Sequence, residues 1–380
     1  MVHCPELAGI FPPSTRTLLQ EERRPLQYAD EEFLNYSSIE DSEYGEEVLG
    51  ELVNSRFVEV FDDYDTACRH ISVDDLIYSK LALITTTKDG IVKHRLILDL
   101  RVSGCNDAAT KVERIILPSA WDVINNAMRV VARGGDSGNI SFFVCDFRDA
   151  FYMLPAHPDE RRYLATKYKG KIYIWSSIAQ GTINGPDTYG RLAALTNRMT
   201  QSLYEEEEMA SEMYVDDPCL VLYGHDDRRA QIVSVVVLLW LILGWDLSYH
   251  KAQLTKAVAW VGYRIEAGKD EVRASIKEEF MTEFLEFTRR LVKKRWTSLA
   301  ELRSYAGKAN HIATLLYTWR PFLEQIWAAI TSCEQSDGTT PNEKSNSSWK
   351  KQQGKKAKAK KHKIWIKQIA VSLNWILIFL

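Results

Sequence analysis

A chain of 380 residues with 46% hydrophobic and 26% charged side chains is globular, and it is long enough for two or three domain-sized units. The formal net charge of -3 speaks against a uniformly basic nucleic-acid binder, yet the imbalance is local: thirteen Asp or Glu lie between Asp30 and Asp65 against the single Arg56, while residues 289–295 and 350–363 are strongly basic. The six cysteines are scattered without a Cys-x-x-Cys spacing, which does not fit a zinc site and suits a reduced compartment, so an intracellular location, cytoplasmic or nuclear, is expected.

Taken in chain order, residues 1–43 carry prolines, then acids and serines, without sustained periodicity, and read as a flexible leader with no secretory signal. Val48, Leu49, Leu52 and Val53 share one face of a helix, and residues 57–60 form a strand. Residues 81–87 and 91–100, joined through Lys88-Asp89-Gly90, make a hairpin whose return strand carries Lys93, Arg95 and Arg101. A helix over 121–131 leads to the apolar strand 141–145, which ends in Asp146. Residues 171–175 read as a strand, and Gln180-Gly181 precedes a helix from about 186 to 204.

Residues 212–223 form two β-prone apolar runs with Asp216 and Asp217 between them, which predicts a hairpin with both acids at its tight turn. Asp226-Asp227, in polar surroundings ahead of a long apolar segment, reads as a helix start with its carboxylates at the positive end of the dipole. The apolar run 232–243 falls short of the roughly 20 residues a bilayer requires, so it is expected to be a buried helix stopped at Gly244, and no membrane partner is expected. Two amphipathic helices follow over 276–294 and 298–319, then a polar and lysine-rich linker over 331–363 and a final apolar element.

The chemistry resides in the acids. Two carboxylates about 4 Å apart repel by roughly 4 kcal/mol at an effective dielectric of about 20, so a cation or a proton is needed to hold them together. An Asp-Asp pair alone is equally an acidic surface turn. Seventy residues upstream of Asp216, however, Asp146 closes a second apolar strand, and transfer of a phosphoryl or nucleotidyl group by two metals uses carboxylates that converge from different strands.

Asp146-Phe147-Arg148-Asp149-Ala150-Phe151 and Tyr214-Val215-Asp216-Asp217 resemble the first and third palm motifs of reverse transcriptases of the retrotransposon and retrovirus type. Four further segments fall in the family's order over roughly residues 45–328. The resemblance implies an α+β right-hand polymerase fold with a ferredoxin-like βαββαβ palm, β-rich fingers and a helical thumb. The implied layout is a leader over 1–43, fingers and the start of the palm over 44–140, palm over 141–268, and thumb over 269–330. A linker over 331–363 and the truncated start of a connection or nuclease region over 364–380 complete it.

The same resemblance implies template-directed DNA synthesis on RNA or DNA with a primer and dNTPs. Asp146, Asp216, Asp217 and the carbonyl of Phe147 would hold two Mg²⁺, with Mn²⁺ as a substitute. Arg95 and Lys93 would meet the nucleotide phosphates, with Lys88 in reach of them, and Asp149 and Ala150 would offer backbone amides to the triphosphate. Phe151 would lie beneath the sugar, Gln180 and Gly181 against base and template, and Lys251 near the leaving pyrophosphate. Trp260, Val261, Gly262 and Tyr263 would grip the primer. Ile178-Ala179 stands where most members have Leu-Pro, and Pro218 directly after the acids is unusual for a strand. An RNA-dependent RNA polymerase with a related palm and an inactive nucleic-acid-binding relic remain the alternatives.

Overall fold

The computed structural model describes residues 33–88, 90–109, 115–134, 139–268, 271–335 and 363–379. Along the chain the strands are β1 (Val58–Phe61), β2 (Lys80–Lys88), β3 (Ile91–Asp99), β4 (Ile140–Val144), β5 (Ala165–Tyr168) and β6 (Lys171–Trp175). They continue with β7 (Met209–Tyr214), β8 (Asp217–Tyr223), β9 (Gln253–Thr255), β10 (Ala257–Trp260), β11 (Tyr263–Ala267) and β12 (Val272–Ile276). The short strands β13 (Trp296–Ser298) and β14 (Lys363–Trp365) come last. Two compact units emerge, one of Met1–Leu117, Cys145–Leu203 and Ser234–Lys251, the other of Pro118–Val144, Tyr204–Val233 and Ala252–Leu380. β4 and Asp146, two residues apart, fall into different units.

In the first unit, β1, β6 and β5 form one antiparallel sheet and β2 with β3 form a long hairpin. Its core gathers Leu49, Val58, Leu81, Leu96, Leu98 and Trp175. The expectation of a flexible leader is corrected for residues 33–43. Ile39 is fully buried, Tyr36 donates its hydroxyl to Asp99 Oδ2 at 2.7 Å, and Asn35 donates from Nδ2 to the Lys167 carbonyl at 2.9 Å while its Oδ1 accepts from Leu81 N at 2.9 Å. Side-chain bonds to distant backbone anchor this segment, and such bonds carry no periodic signal. Residues 1–32 lie outside the described residues.

The second unit contains the sheet β7-β8-β4-β9, antiparallel throughout. Apart from the β5–β6 pair of the first unit, the chain runs from β4 through the Gly185–Gln201 helix to β7 and β8, then through the Asp226–Ile242 helix to β9, a βαββαβ order. All five residues of β4 are buried, as expected of an apolar strand flanked on both sides. The β10-β11-β12 sheet and the Ala120–Gly134 helix share a core with β4 and β8 through Val123, Ala127, Phe142, Val221, Val258 and Ile265.

The Asp226–Ile242 helix starts at the expected acids, but it is not buried all round. Ile232, Val236 and Trp240 are fully buried, whereas Leu238, Leu241 and Ile242 face solvent, so an apolar run of this length concealed a one-sided helix. Gly244, at φ 86°, ends it: Trp245 N donates to Trp240 O at 2.9 Å and Gly244 N to Leu241 O at 3.0 Å, the paired bonds of a Schellman cap.

Helices Glu278–Val292, Leu299–Leu315 and Arg320–Gln335 pack around Phe284, Leu302, Tyr305, Ile312 and Ile326. Ser298 caps the second of them by accepting from Glu301 N at 3.1 Å. The tail differs from a separate truncated region. β14 pairs with β13, and the Ala370–Phe379 helix contributes Leu373 and Ile376 to the same core, so both belong to the helical unit. The rest of the linker, 336–362, lies outside the described residues.

Candidate active site

The β7–β8 ladder runs to the pair Tyr214–Asp217, which leaves Val215 and Asp216 as the two turn residues. Asp216 therefore stands at the tip and Asp217 opens β8, so the turn lies one position earlier than expected. Val215 holds φ at 57°, a costly conformation for a β-branched residue and one that persists only where the surrounding ladder enforces it. Trp260 donates its indole N–H to the carbonyl of Asp217 at 2.9 Å, and its ring meets Tyr214 edge-on at 6.2 Å. Pro218 is accommodated because the pairing with β4 begins only at Cys219. Opposite Met213 it occupies the position next to the turn-closing pair, whose N–H points away from β7 in an antiparallel ladder.

β4 ends at Val144, in register with Cys219, so its end and the turn at Val215-Asp216 lie at the same edge of the sheet. Asp146 follows two residues later. Its carbonyl accepts from Ser248 N at 2.9 Å, Arg148 N donates to Asp246 O at 2.8 Å, and Phe147 bridges antiparallel to Leu247. The buried Phe147 ring stacks on Trp245 at 4.7 Å and meets Trp240 edge-on at 5.3 Å. These indoles are held in turn, Trp240 donating to Thr200 Oγ1 at 2.7 Å and Trp245 to Thr196 Oγ1 at 3.2 Å. The Asp146 carboxylate pairs through Oδ2 with the ammonium of Lys251.

Beyond Asp146, Asp149 adopts φ 49° and its carbonyl accepts from Tyr152 N at 2.8 Å, forming a tight turn that buries Ala150. Phe151 is half-buried and stacks on the fully buried Tyr189 at 5.0 Å. Gln180 accepts from Leu98 N at 2.9 Å, and Asn106 Nδ2 donates to Gly181 O at 2.9 Å. At φ 122° a Cβ on Gly181 would lie 2.0 Å from the Leu98 carbonyl, so only glycine permits this approach. The loop is thus tied to β3, which carries Lys93 and Arg95 exposed. Nothing is described of the Lys88 side chain.

The β10–β11 turn is Val261-Gly262, with φ of 47° and 83°. Both values are positive, as a two-residue type I′ hairpin requires. Tyr263 stacks on His311 at 4.5 Å and donates its hydroxyl to the His311 carbonyl at 2.7 Å. Burial pushes the His311 imidazole below its ordinary range. Phe280 closes the other side of the ring at 5.2 Å, edge-on. Sequence reasoning missed His311, Asn106 and the Thr196/Thr200 pair, whose roles arise only from packing. Of the basic cluster at 289–295, Lys294 is engaged with Glu301 at 2.6 Å and Arg290 lies over the Phe287 ring at 4.7 Å.

Carboxylate and carbonyl oxygens are the donors that Mg²⁺ prefers, and the Asp146 carboxylate carries the Lys251 ammonium on the oxygen such an ion would take. Among the described residues no three Asp, Glu, His or Cys side chains come together as a metal-holding group. No helix among them is long and apolar enough to cross a membrane.

No family profile matches the chain. It is similar to the Gag-Pol polyprotein of walleye dermal sarcoma virus, 30% identical over 118 residues that cover 30% of this chain and 6% of that protein. The Gag-Pol polyprotein of avian reticuloendotheliosis virus is 23% identical over 247 residues, covering 62% and 20%. The chain thus spans a fifth or less of the length of these two relatives. Among solved structures it resembles a foamy viral protease-reverse transcriptase in complex with double-stranded DNA, at a TM-score of 0.51 and 16% identity, covering 82% of this chain and 45% of that one. The same viral protein in complex with an RNA/DNA hybrid matches at a TM-score of 0.51 and 15% identity, over 79% and 34%. The fold is that of a right-hand polymerase, α+β in make-up, and the resemblance to a reverse transcriptase domain of retroviral type stands.

Proposed function

We propose that the chain extends a primer on an RNA or DNA template, transferring deoxynucleotides to the primer 3′-hydroxyl with release of pyrophosphate. The observation that carries this reading is the order of acids and strands: β4 pairs with β8 up to Cys219, the β7–β8 turn holds Asp216, and Asp146 follows β4 directly in the chain. Two Mg²⁺ held by Asp146, Asp216 and the Phe147 carbonyl, with Asp217 in support, would lower the pKa of the attacking hydroxyl and neutralise charge on the leaving group.

The remaining tasks fall to the chain itself. Arg95 offers a planar two-pronged donor to phosphate oxygens, with Lys93 two residues away on the same face of β3. The turn at Asp149-Ala150 directs backbone amides toward the triphosphate. Phe151, stiffened by Tyr189, fills the volume a 2′-hydroxyl would need. Gln180-Gly181 positions base and template, and the Val261-Gly262 turn holds the primer end. Primer extension on a poly-ribonucleotide template with Mg²⁺ tests the reading. Incorporation of deoxynucleotides supports it, ribonucleotide incorporation alone points to an RNA polymerase, and no incorporation favours a relic.

A further inference from the structure

Lys251 reaches Asp146 because the backbone places it there. After the Schellman cap, residues 246–248 run antiparallel to 146–148 through the Ser248 N to Asp146 O and Arg148 N to Asp246 O bonds, at 2.9 and 2.8 Å. Tyr249–Lys251 then form one 3₁₀ turn closed by Lys251 N donating to Ser248 O at 2.9 Å. Trp245, stacked on Phe147, fixes the start of the same loop. Both partners of the ion pair are thus set by main-chain bonds and ring packing. Only the flexible lysine stem is left to move.

The other charges nearby are otherwise engaged. Arg148 lies 3.3 Å from Asp149 and 3.8 Å from Asp246. The Asp146 side chain is 21% exposed and that of Lys251 44%, so the carboxylate is largely withdrawn from water and takes its cation from the chain itself.

We propose that Lys251 is the resident counter-ion of Asp146, displaced when a divalent cation binds that carboxylate, and so sets how tightly the cation is held. The inference rests on the reading of Asp146 as a metal ligand. An ammonium on Oδ2 and a metal on Oδ2 exclude one another, so the ion pair opposes metal binding by the strength of the pair. Exchange also releases a cation beside the site, where it meets an anionic phosphate group. Binding of the divalent ion and binding of the phosphate therefore favour each other, and by linkage the favour is mutual.

The test is Mn²⁺ binding to the full chain without nucleotide, read from the electron paramagnetic resonance signal of free Mn²⁺. A partly exposed pair of this kind is worth about a 2- to 5-fold change, so Lys251→Met should tighten Mn²⁺ binding by about that factor. Lys251→Gln should do the same, and Lys251→Arg should stay near wild type, since it keeps the competing charge. Asp146→Asn should abolish the site. Unchanged or weaker binding in both Lys251→Met and Lys251→Gln overturns the counter-ion role while leaving Asp146 as a ligand. Binding that survives Asp146→Asn overturns the metal reading of Asp146 itself and the counter-ion role with it. Retention of the wild-type thermal melt identifies which lysine variants are folded and hence decide the matter.

Discussion

Trp260 and Asp217 are joined by an indole-to-carbonyl hydrogen bond of 2.9 Å. This bond fastens the first residue of β8, directly after the strained Val215-Asp216 turn, to the last residue of β10, directly before the Val261-Gly262 turn. Two hairpin tips with separate expected tasks, one bearing acids and one gripping a primer, are thereby held in fixed relation. Replacing the indole by a ring without a donor, Trp260→Phe, leaves the Asp217 carbonyl short of a partner. A loss of about 1–2 kcal/mol in urea melts is expected, together with slower primer extension. Unaltered stability would mean that solvent substitutes for the indole.

The acids themselves give a sharper outcome. On the proposed reading, Asp146→Asn and Asp216→Asn should each lower primer extension by at least about 10³-fold, because each would remove a charged metal ligand. Asp217→Asn, at the first position of the ladder, should cost less. Near-wild-type extension in either of the first two variants refutes the assignment.

On the proposed reading, Phe151 would separate deoxy- from ribonucleotides by volume. Its ring rests on the fully buried Tyr189. Phe151→Val should raise the ratio of ribo- to deoxynucleotide incorporation by about 10- to 100-fold, equivalent to about 1.4 to 2.7 kcal/mol. Single-nucleotide extension rates on one primer and template measure it. A constant ratio would make Phe151 a packing residue only.

Glu212 supplies a pH signature. Burial raises its carboxyl above the ordinary value, opposed by a 2.8 Å hydrogen bond from Asn126 Nδ2. A carboxyl raised on folding holds its proton more tightly in the folded chain. Its contribution is therefore present below the unfolded value of about 4.3 and is lost as pH climbs through the raised one. Glu212→Gln keeps an oxygen for Asn126 and removes the charge. Its melting temperature should match wild type in acid and exceed it increasingly as pH rises through that window, levelling off above. A variant less stable than wild type at neutral pH would show that the charge is stabilised after all.

Much of this was legible in the sequence because it is periodic or contiguous. The unbroken apolar run of β4, the acid that follows it, and the two β-prone runs around Asp216-Asp217 specify strands whatever they pack against. What stayed hidden has a common cause. The apolar run 232–243 does not say which of its faces meets the core, since a leucine at 238 and an isoleucine at 232 look alike until their neighbours are known. Asn35 and Tyr36 hold their segment by bonds to residues far along the chain. The turn lies one residue earlier than the two apolar runs suggest because the ladder closes at Tyr214–Asp217, a register fixed by strand pairing and by the strain Val215 accepts. Pairing of Lys251 with Asp146 depends on a loop returning alongside 146–148, which no local pattern announces.

The ladder between β13 and β14 also imposes an order of events during synthesis. Trp296, Thr297 and Ser298 find their partners in Trp365, Ile364 and Lys363, roughly sixty-five residues later in the chain. At elongation rates of about 5–20 residues per second, the ribosome takes roughly 3 to 13 seconds to supply them. Through that interval the apolar faces around Leu302 and Ile326 await Leu373 and Ile376. The nascent helical segment is therefore open to chaperone capture during that interval, and any nick or stop codon ahead of residue 363 would leave it permanently in that state.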